Sequence, residues 1–293
     1  MTSSTQQHLA SLAPPTSAPP GAGPIVKWAG GKSGMLPTLR RLFPSHANER
    51  RLIEPFAGGA ALFFELNPTS AILSDLNPDL ILLYRTVREA LPSLLVHLAA
   101  LATAHSPEHY YRVRSAYNAR SHQTPAERAA MLLYLNKTCF NGLYRVNRRG
   151  EFNVPLGSYR KPTIVDSNKL SLASVALKTA ELLHADFATV LQLARPGDFV
   201  YLDPPYVPES KTANFTAYTR KGFGPADQER LREIIGRLDQ RGCYVMLSNS
   251  DKAQVRALYA GYAFTDVSVP RSINCCGSGR GRKPEVVIRN YSD

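Results

Sequence analysis

Asp203, Pro204, Pro205 and Tyr206 follow directly on the apolar run Phe199–Leu202, and residues of these types in this order can do chemistry. Two consecutive prolines stop a strand, fix the direction of the chain and leave backbone carbonyls without local N–H partners. A carboxylate beside such a carbonyl can accept the two hydrogens of an exocyclic amino group, and the following aromatic ring can stack on the base that carries it. A simple turn is the other reading of these four residues. Upstream, Lys27–Gly34 (KWAGGKSG) ends as a phosphate loop does, in Gly31, Lys32 and Ser33, but Val26 stands where the first glycine of that loop belongs. The stretch therefore reads first as a glycine-rich turn entering a short helix over 35–42, with a phosphate-loop ATPase as the weaker alternative.

These groups need elements to hold them. The runs RLIEPFAG and AILSDLN read as strands on either side of the helix-like GAALFFEL, the pattern of a βαβ unit. Phe56–Leu62 then lies where an open α/β sheet binds adenosine-type cofactors, and Gly58 and Gly59 let the backbone approach a ligand. Asp75, at the end of the second strand, can accept both hydroxyls of a ribose. Taken singly, a tight turn and a capping acid explain these positions as well; the order strand, glycine turn, helix, strand, acid favours the cofactor.

From Pro78 to about Cys139 the pattern is helix after helix, the last opening on Thr124, Pro125 and Glu127 as a capping box. The segment 139–162 is loop or hairpin material. In it and just before it, Lys137, Arg145, Arg148, Arg149, Arg160 and Lys161 interleave with Phe140, Tyr144, Phe152 and Tyr159, a mixture suited to phosphate contact, base-edge contact and stacking. Strands and helices then alternate again through ELLHADF, DFVYLDPPY and CYVMLSNS to a terminal strand pair, AFTDVSVPRS and EVVIRNY. The fold class expected is an α/β sheet interrupted by a helical and hairpin insertion. Its division is 24–85 and 163–293 for the sheet domain and 86–162 for the insertion, after a disordered tail over 1–23 that is rich in Ser, Ala, Pro and Gly.

With 293 residues the chain can bury a core without covalent staples. Its four cysteines form no CxxC pair, so neither a disulfide framework nor a metal site is expected. No apolar run approaches the roughly 20 residues of a membrane span, and the first residues lack the pattern of a signal peptide, so a soluble cytoplasmic protein with no membrane partner is expected. The net charge of +12 favours an anionic partner, nucleic acid before an acidic membrane surface.

KWAGGK, EPFAGGAAL, SDLN, NKTCFNGLYRVNRRGEFNVPLG, DPPY and TANFTAY, in this order, resemble the DNA adenine N6-methyltransferases of the Dam kind, over nearly everything after the tail. DPPY alone also occurs in N4-cytosine and some protein-glutamine methyltransferases, and a catalytically silent DNA-binding relative is the rival from another class. Ala60 departs from the family, in which many members carry glycine. The resemblance implies a Rossmann-like sheet dependent on S-adenosylmethionine, double-stranded DNA as partner, and no metal. It also implies roles. Trp28, Lys32, Phe56, Gly58, Asp75, Asp186 and Phe187 would hold the cofactor, with Asp203 beside it. Asp203, Pro204 and Tyr206 would hold the target adenine, flipped out of the duplex. Lys27, Asn141, Leu143, Arg145, Asn147 and Tyr159 would contact DNA, with GATC as the expected site.

Overall fold

The computed structural model describes residues 21–28, 30–206, 223–270 and 282–292. Most of the expected tail, and the TANFTAY stretch, lie outside the described residues.

Among the described residues seven strands form a single sheet: β1 (Leu52–Glu54), β2 (Ala71–Asp75), β3 (Ala180–His184), β4 (Phe199–Leu202), β5 (Tyr244–Ser250), β6 (Ala263–Pro270) and β7 (Arg282–Arg289). Their order is β3-β2-β1-β4-β5-β7-β6. The first five run parallel, and the hairpin β6–β7 joins antiparallel to β5. Strand order reverses between β1 and β4, so the crevice outside their carboxyl ends is where such a sheet takes its ligands.

The strand sequences are short apolar runs because both faces are covered. Leu52, Leu73, Phe199 and Tyr201 pack into one core with the helices α2 (Ala61–Leu66), α3 (Pro78–Glu89), α4 (Leu91–Thr103), α5 (Pro107–Asn118), α6 (Pro125–Thr138) and α7 (Ser167–Ala176). Their neighbours Ile53, Ile72, Val200 and Leu202 face a second core with α8 (Val190–Leu193), α9 (Pro225–Gln240) and α10 (Ala253–Leu258). This alternation fixes the register, since a slip of one residue would exchange the two sets. The short helix expected after the glycine-rich turn is α1 (Leu36–Arg40), and α7 was not legible. Asp166 caps α7 by accepting from Lys169 N–H at 3.0 Å, a start signal within a polar stretch that hides it.

Helix α3 runs across the boundary expected at residue 85 and packs on both the sheet and α6, so the segment expected as an insertion continues from a helix that lies on the sheet. A buried ion pair ties the two. Asp79, in the first turn of α3, takes both forks of Arg128 on α6 (Nε and Nη2, each 2.7 Å) and the Tyr117 hydroxyl of α5 at 2.6 Å.

Candidate active site

The sheet brings its strand ends together. Glu54 ends β1, Asp75 ends β2, Asp186 follows β3 and Asp203 follows β4, all on one edge. After β1 the chain turns through Phe56–Ala60. Gly58 has φ +46°, and a side chain there would begin 2.9 Å from Trp28 Cδ1, so the turn needs glycine on two counts. Ala60 keeps a left-handed backbone, φ +51°, in spite of its methyl group, so the departure from glycine leaves the bend in place. Asp75 secures this turn by accepting Gly58 N–H at 3.0 Å and Asn77 N–H at 2.8 Å. Burial pushes its carboxyl up, and those two N–H groups offset part of the rise. Tyr84 of α3 donates to the Gly58 carbonyl at 2.6 Å.

Lys32 reaches into the same edge from the N-terminal loop. Its ammonium lies 2.7 Å from Asp203 Oδ1, 2.8 Å from the Gly30 carbonyl and 4.8 Å from the Tyr206 ring centre. Burial raises the Asp203 carboxyl above its ordinary range, and Lys32 restrains it. Tyr206 donates to Glu285 of β7 at 2.8 Å. Phe56 stacks on Phe187 at 5.2 Å, with Phe223 edge-on to Phe56. Asp186 accepts Ala188 N–H at 2.9 Å and pairs with Arg230 of α9, whose guanidinium also covers the Phe187 ring.

Two residues of this edge escaped the sequence reading. Glu54 is 2% exposed, its Oε1 has no hydrogen-bond partner among the described residues, and burial pushes it up to about 8. Glu285 sits in the run EVVI. The signal for both was an acid placed at or within an otherwise apolar strand.

The second cluster of expected residues forms a neighbouring surface. Asn141 is exposed with φ +56°, in a tight turn over Phe140–Gly142. The Lys27 ammonium lies 3.5 Å from the Tyr159 hydroxyl and 5.2 Å from its ring centre. Phe140, Tyr159, Arg148, Arg149, Arg160 and Lys161 are exposed. Arg145 Nε donates to Asn153 at 2.8 Å. Leu143 is half-buried against the core. Asn147 organises its own turn: its Oδ1 accepts from Arg149 and Glu151 N–H, and its Nδ2 donates to Glu151. Two aromatics expected to stack on bases do not face out. Tyr144 is 8% exposed and lies flat on Trp28 at 4.9 Å, and Phe152 is 2% exposed in the core. Both rings anchor the segment that carries them. Lys137 likewise lines a small hollow with Ile25, Leu133, Ile164, Asp166, Lys169 and Leu170.

The family model of the D12 class N6 adenine-specific DNA methyltransferases matches residues 28–273. The chain belongs to this family. Its methyltransferase relatives include the type II methyltransferase M1.LlaDCHI of Lactococcus lactis, 39% identical over 92% of this chain and 96% of that one. M.MjaIII of Methanocaldococcus jannaschii is 40% identical over 92% and 99%, and the DNA adenine methylase of Escherichia coli is 36% identical over 90% and 93%. The protein is thus an adenine-specific DNA methyltransferase, an enzyme with DNA as substrate and a methyl donor as co-substrate. The cytosine, silent-module and phosphate-loop readings give way to it.

Proposed function

We propose that this methyltransferase turns an adenine out of double-stranded DNA at a fixed site, GATC, and methylates its N6 with S-adenosylmethionine. The observation that carries the reading is the meeting of Asp203–Tyr206 with the Asp75-braced glycine turn on one sheet edge. That edge fits the cofactor. Asp75 suits a ribose, the stacked pair of Phe56 and Phe187 offers an apolar wall to an adenine ring with Asp186 beside it, and Lys32 suits a carboxylate, while Trp28 packs over Gly58. The unpartnered Oε1 of Glu54 is a place for a cationic group. When bound, S-adenosylmethionine supplies a methyl group on a positively charged sulfur.

The residues of the chain do the rest. An adenine N6 amine is a poor nucleophile because its lone pair is shared with the ring. Asp203 accepts one N6 hydrogen and the Pro204 carbonyl the other, drawing the nitrogen towards a tetrahedral shape with its lone pair aimed at the methyl group. Positioning of this kind supplies up to about 7–11 kcal/mol in well-oriented systems. Burial of Asp203 suits it to take up a proton as the nitrogen gains its methyl group, while Lys32 keeps it charged beforehand. Removing the base from the stack costs a few kcal/mol, about as much as stacking on one aromatic ring returns, and Tyr206 is that ring.

Residues 86–162 form the target-recognition insertion between the two parts of the catalytic domain. Asn141, Leu143, Arg145 and Lys27 contact or wedge the bases, Tyr159 and the exposed arginines follow the backbone, and Asn147 shapes the turn. No helix of the described residues is long and apolar enough to cross a membrane, and cytoplasmic DNA is the substrate that we assign. Methylation-aware sequencing of DNA from cells expressing the protein should show N6-methyladenine at GATC. Another motif would overturn the site, and absence of N6-methyladenine would overturn the function.

A further inference from the structure

The loop 27–32 and the segment 139–145 meet at Asn136, near the end of α6. The residue is 1% exposed. Its Oδ1 accepts Lys27 N–H at 2.9 Å, and its Nδ2 donates to the Lys27 carbonyl at 2.7 Å and to the Gly142 carbonyl at 3.0 Å. The pairing with Lys27 is two-sided, like a rung of a strand ladder, and the third bond joins that rung to the Phe140–Gly142 turn. Gly142 itself, at φ +65°, lies so close that a Cβ would stand 2.5 Å from Lys27 Cδ. Next to this rung Trp28 touches Tyr144 on one side and Gly58 on the other. Only a primary amide gives one acceptor and two donors in a plane; aspartate would turn an acceptor towards two carbonyls.

We infer that Asn136 is a positioning residue that couples cofactor binding to DNA recognition, by holding Lys27 and the Asn141-bearing turn in the geometry set by the cofactor loop. This rests on the proposed assignment of 27–32 to the cofactor and of 140–145 to DNA. A coupling of this kind is reciprocal: whatever factor the duplex adds to cofactor affinity, the cofactor adds to duplex affinity.

The test uses the full chain, with S-adenosylhomocysteine as unreactive probe and a GATC duplex, or the site found by sequencing. Its affinity is measured with and without the duplex, together with kcat/KM on matched and single-mismatch duplexes. Asn290 is the control, since its amide makes a comparable set of one accepted and two donated bonds far from the site, accepting Val245 N–H at 2.7 Å and donating to the Cys243 carbonyl and to Asp239, each at 2.8 Å. In the wild type the duplex should tighten the probe by a factor within the usual range of about 5–150. Asn136→Ala should bring this factor to about one and cut matched-over-mismatched discrimination about tenfold, while probe affinity without DNA stays within about twofold. Asn290→Ala should lower Tm similarly and change neither ratio. Should Asn136→Ala not fold, Asn136→Gln displaces the same amide by one methylene and gives the same readout. Unchanged coupling in the Asn136 variants, equal losses in Asn290→Ala, or a wild-type factor of one overturns the inference alone. A wild type that methylates no duplex overturns the functional reading and this inference with it.

Discussion

The strand-end edge takes its geometry from the sheet, whereas the segment proposed to read DNA takes much of its geometry from helix side chains bonded to its backbone. At the edge, Glu54, Asp75, Asp186 and Asp203 lie side by side because parallel ladders fix where each strand stops. Residues 139–157 have two isolated bridges of their own, Cys139 with Leu156 and Val146 with Phe152. Beyond these and a few local backbone bonds, their backbone is pegged from α5. Asn118 gives to the Phe152 carbonyl at 3.0 Å and takes its N–H at 2.8 Å, and Tyr110 and Arg114 both donate to the Val154 carbonyl. A ladder tolerates change at any single side chain. A segment held by a few side chains depends on each of them.

The largest effect expected lies at the edge. Asp203→Ala should leave the sheet, and so duplex binding, intact while lowering single-turnover methylation by at least about 10³-fold, a little over 4 kcal/mol at 1.36 kcal/mol per decade. Gel-shift affinity and tritium transfer on the same preparation separate the two. An active Asp203→Ala enzyme would break the assignment of roles at this edge.

The counterpart for the pegged region is Arg128→Ala, which strips Asp79 of its buried partner and loosens the helices that carry the pegs. The loss should be about 3–5 kcal/mol in denaturant unfolding. Arg128→Lys should recover little of it, because a single ammonium cannot reproduce the two-pronged contact. Burial pushes the Asp79 carboxyl up, but Arg128 and Tyr117 outweigh it and hold it below its ordinary range. The link therefore weakens only at acid pH. Wild-type stability in Arg128→Ala would show that the sheet alone holds the insertion.

This contrast also explains what could be read from the sequence. The βαβ opening, the four helices α3–α6 and the strand-end positions of Gly58, Asp75 and Asp203 were legible because periodicity and turn chemistry report ladders and helices directly. The pegs were not. Asn118 and Asn136 look like ordinary polar positions late in a helix, since their partners lie 34 and 109 residues away in sequence. Tyr144 and Phe152 were misread for the same reason: an aromatic among arginines can face a base or the core, and only the tertiary contacts decide. Glu54 was missed because it ends a strand where an apolar residue would also fit.

Glu54 sharpens the first region through pH. Its carboxyl titrates near 8 in the folded chain and in the ordinary carboxylate range when unfolded, so the unfolded state releases its proton first. Stability contributed by this group is therefore full below about pH 4.5 and falls as pH rises towards 8, by up to about 3 kcal/mol between pH 5 and 7. Asp75 and Asp203, also raised by burial, act in the same direction. Glu54→Gln should remove its share, so that without cofactor the variant is the more stable at pH 7 and the difference shrinks towards pH 5. Parallel Tm profiles for the two proteins would place the Glu54 charge elsewhere.

The smallest effects test whether pegging also sets base readout. Arg145 is held at Nε by Asn153, and the Asn153 N–H donates to the Arg145 carbonyl at 3.2 Å, so its remaining donors are presented from a fixed stem. Arg148 is exposed on the turn that Asn147 organises. If fixation confers specificity, Arg145→Ala should cost about 1–3 kcal/mol at one base pair and relax discrimination there. Arg148→Ala should weaken all duplexes alike and reduce the salt dependence by about one phosphate contact. Asn153→Ala then gives the decisive comparison: freeing the Arg145 stem should relax the same base pair as removing Arg145, but by less. Uniform weakening in all three variants would mean that this face of the segment follows the phosphates and that the sequence is read elsewhere.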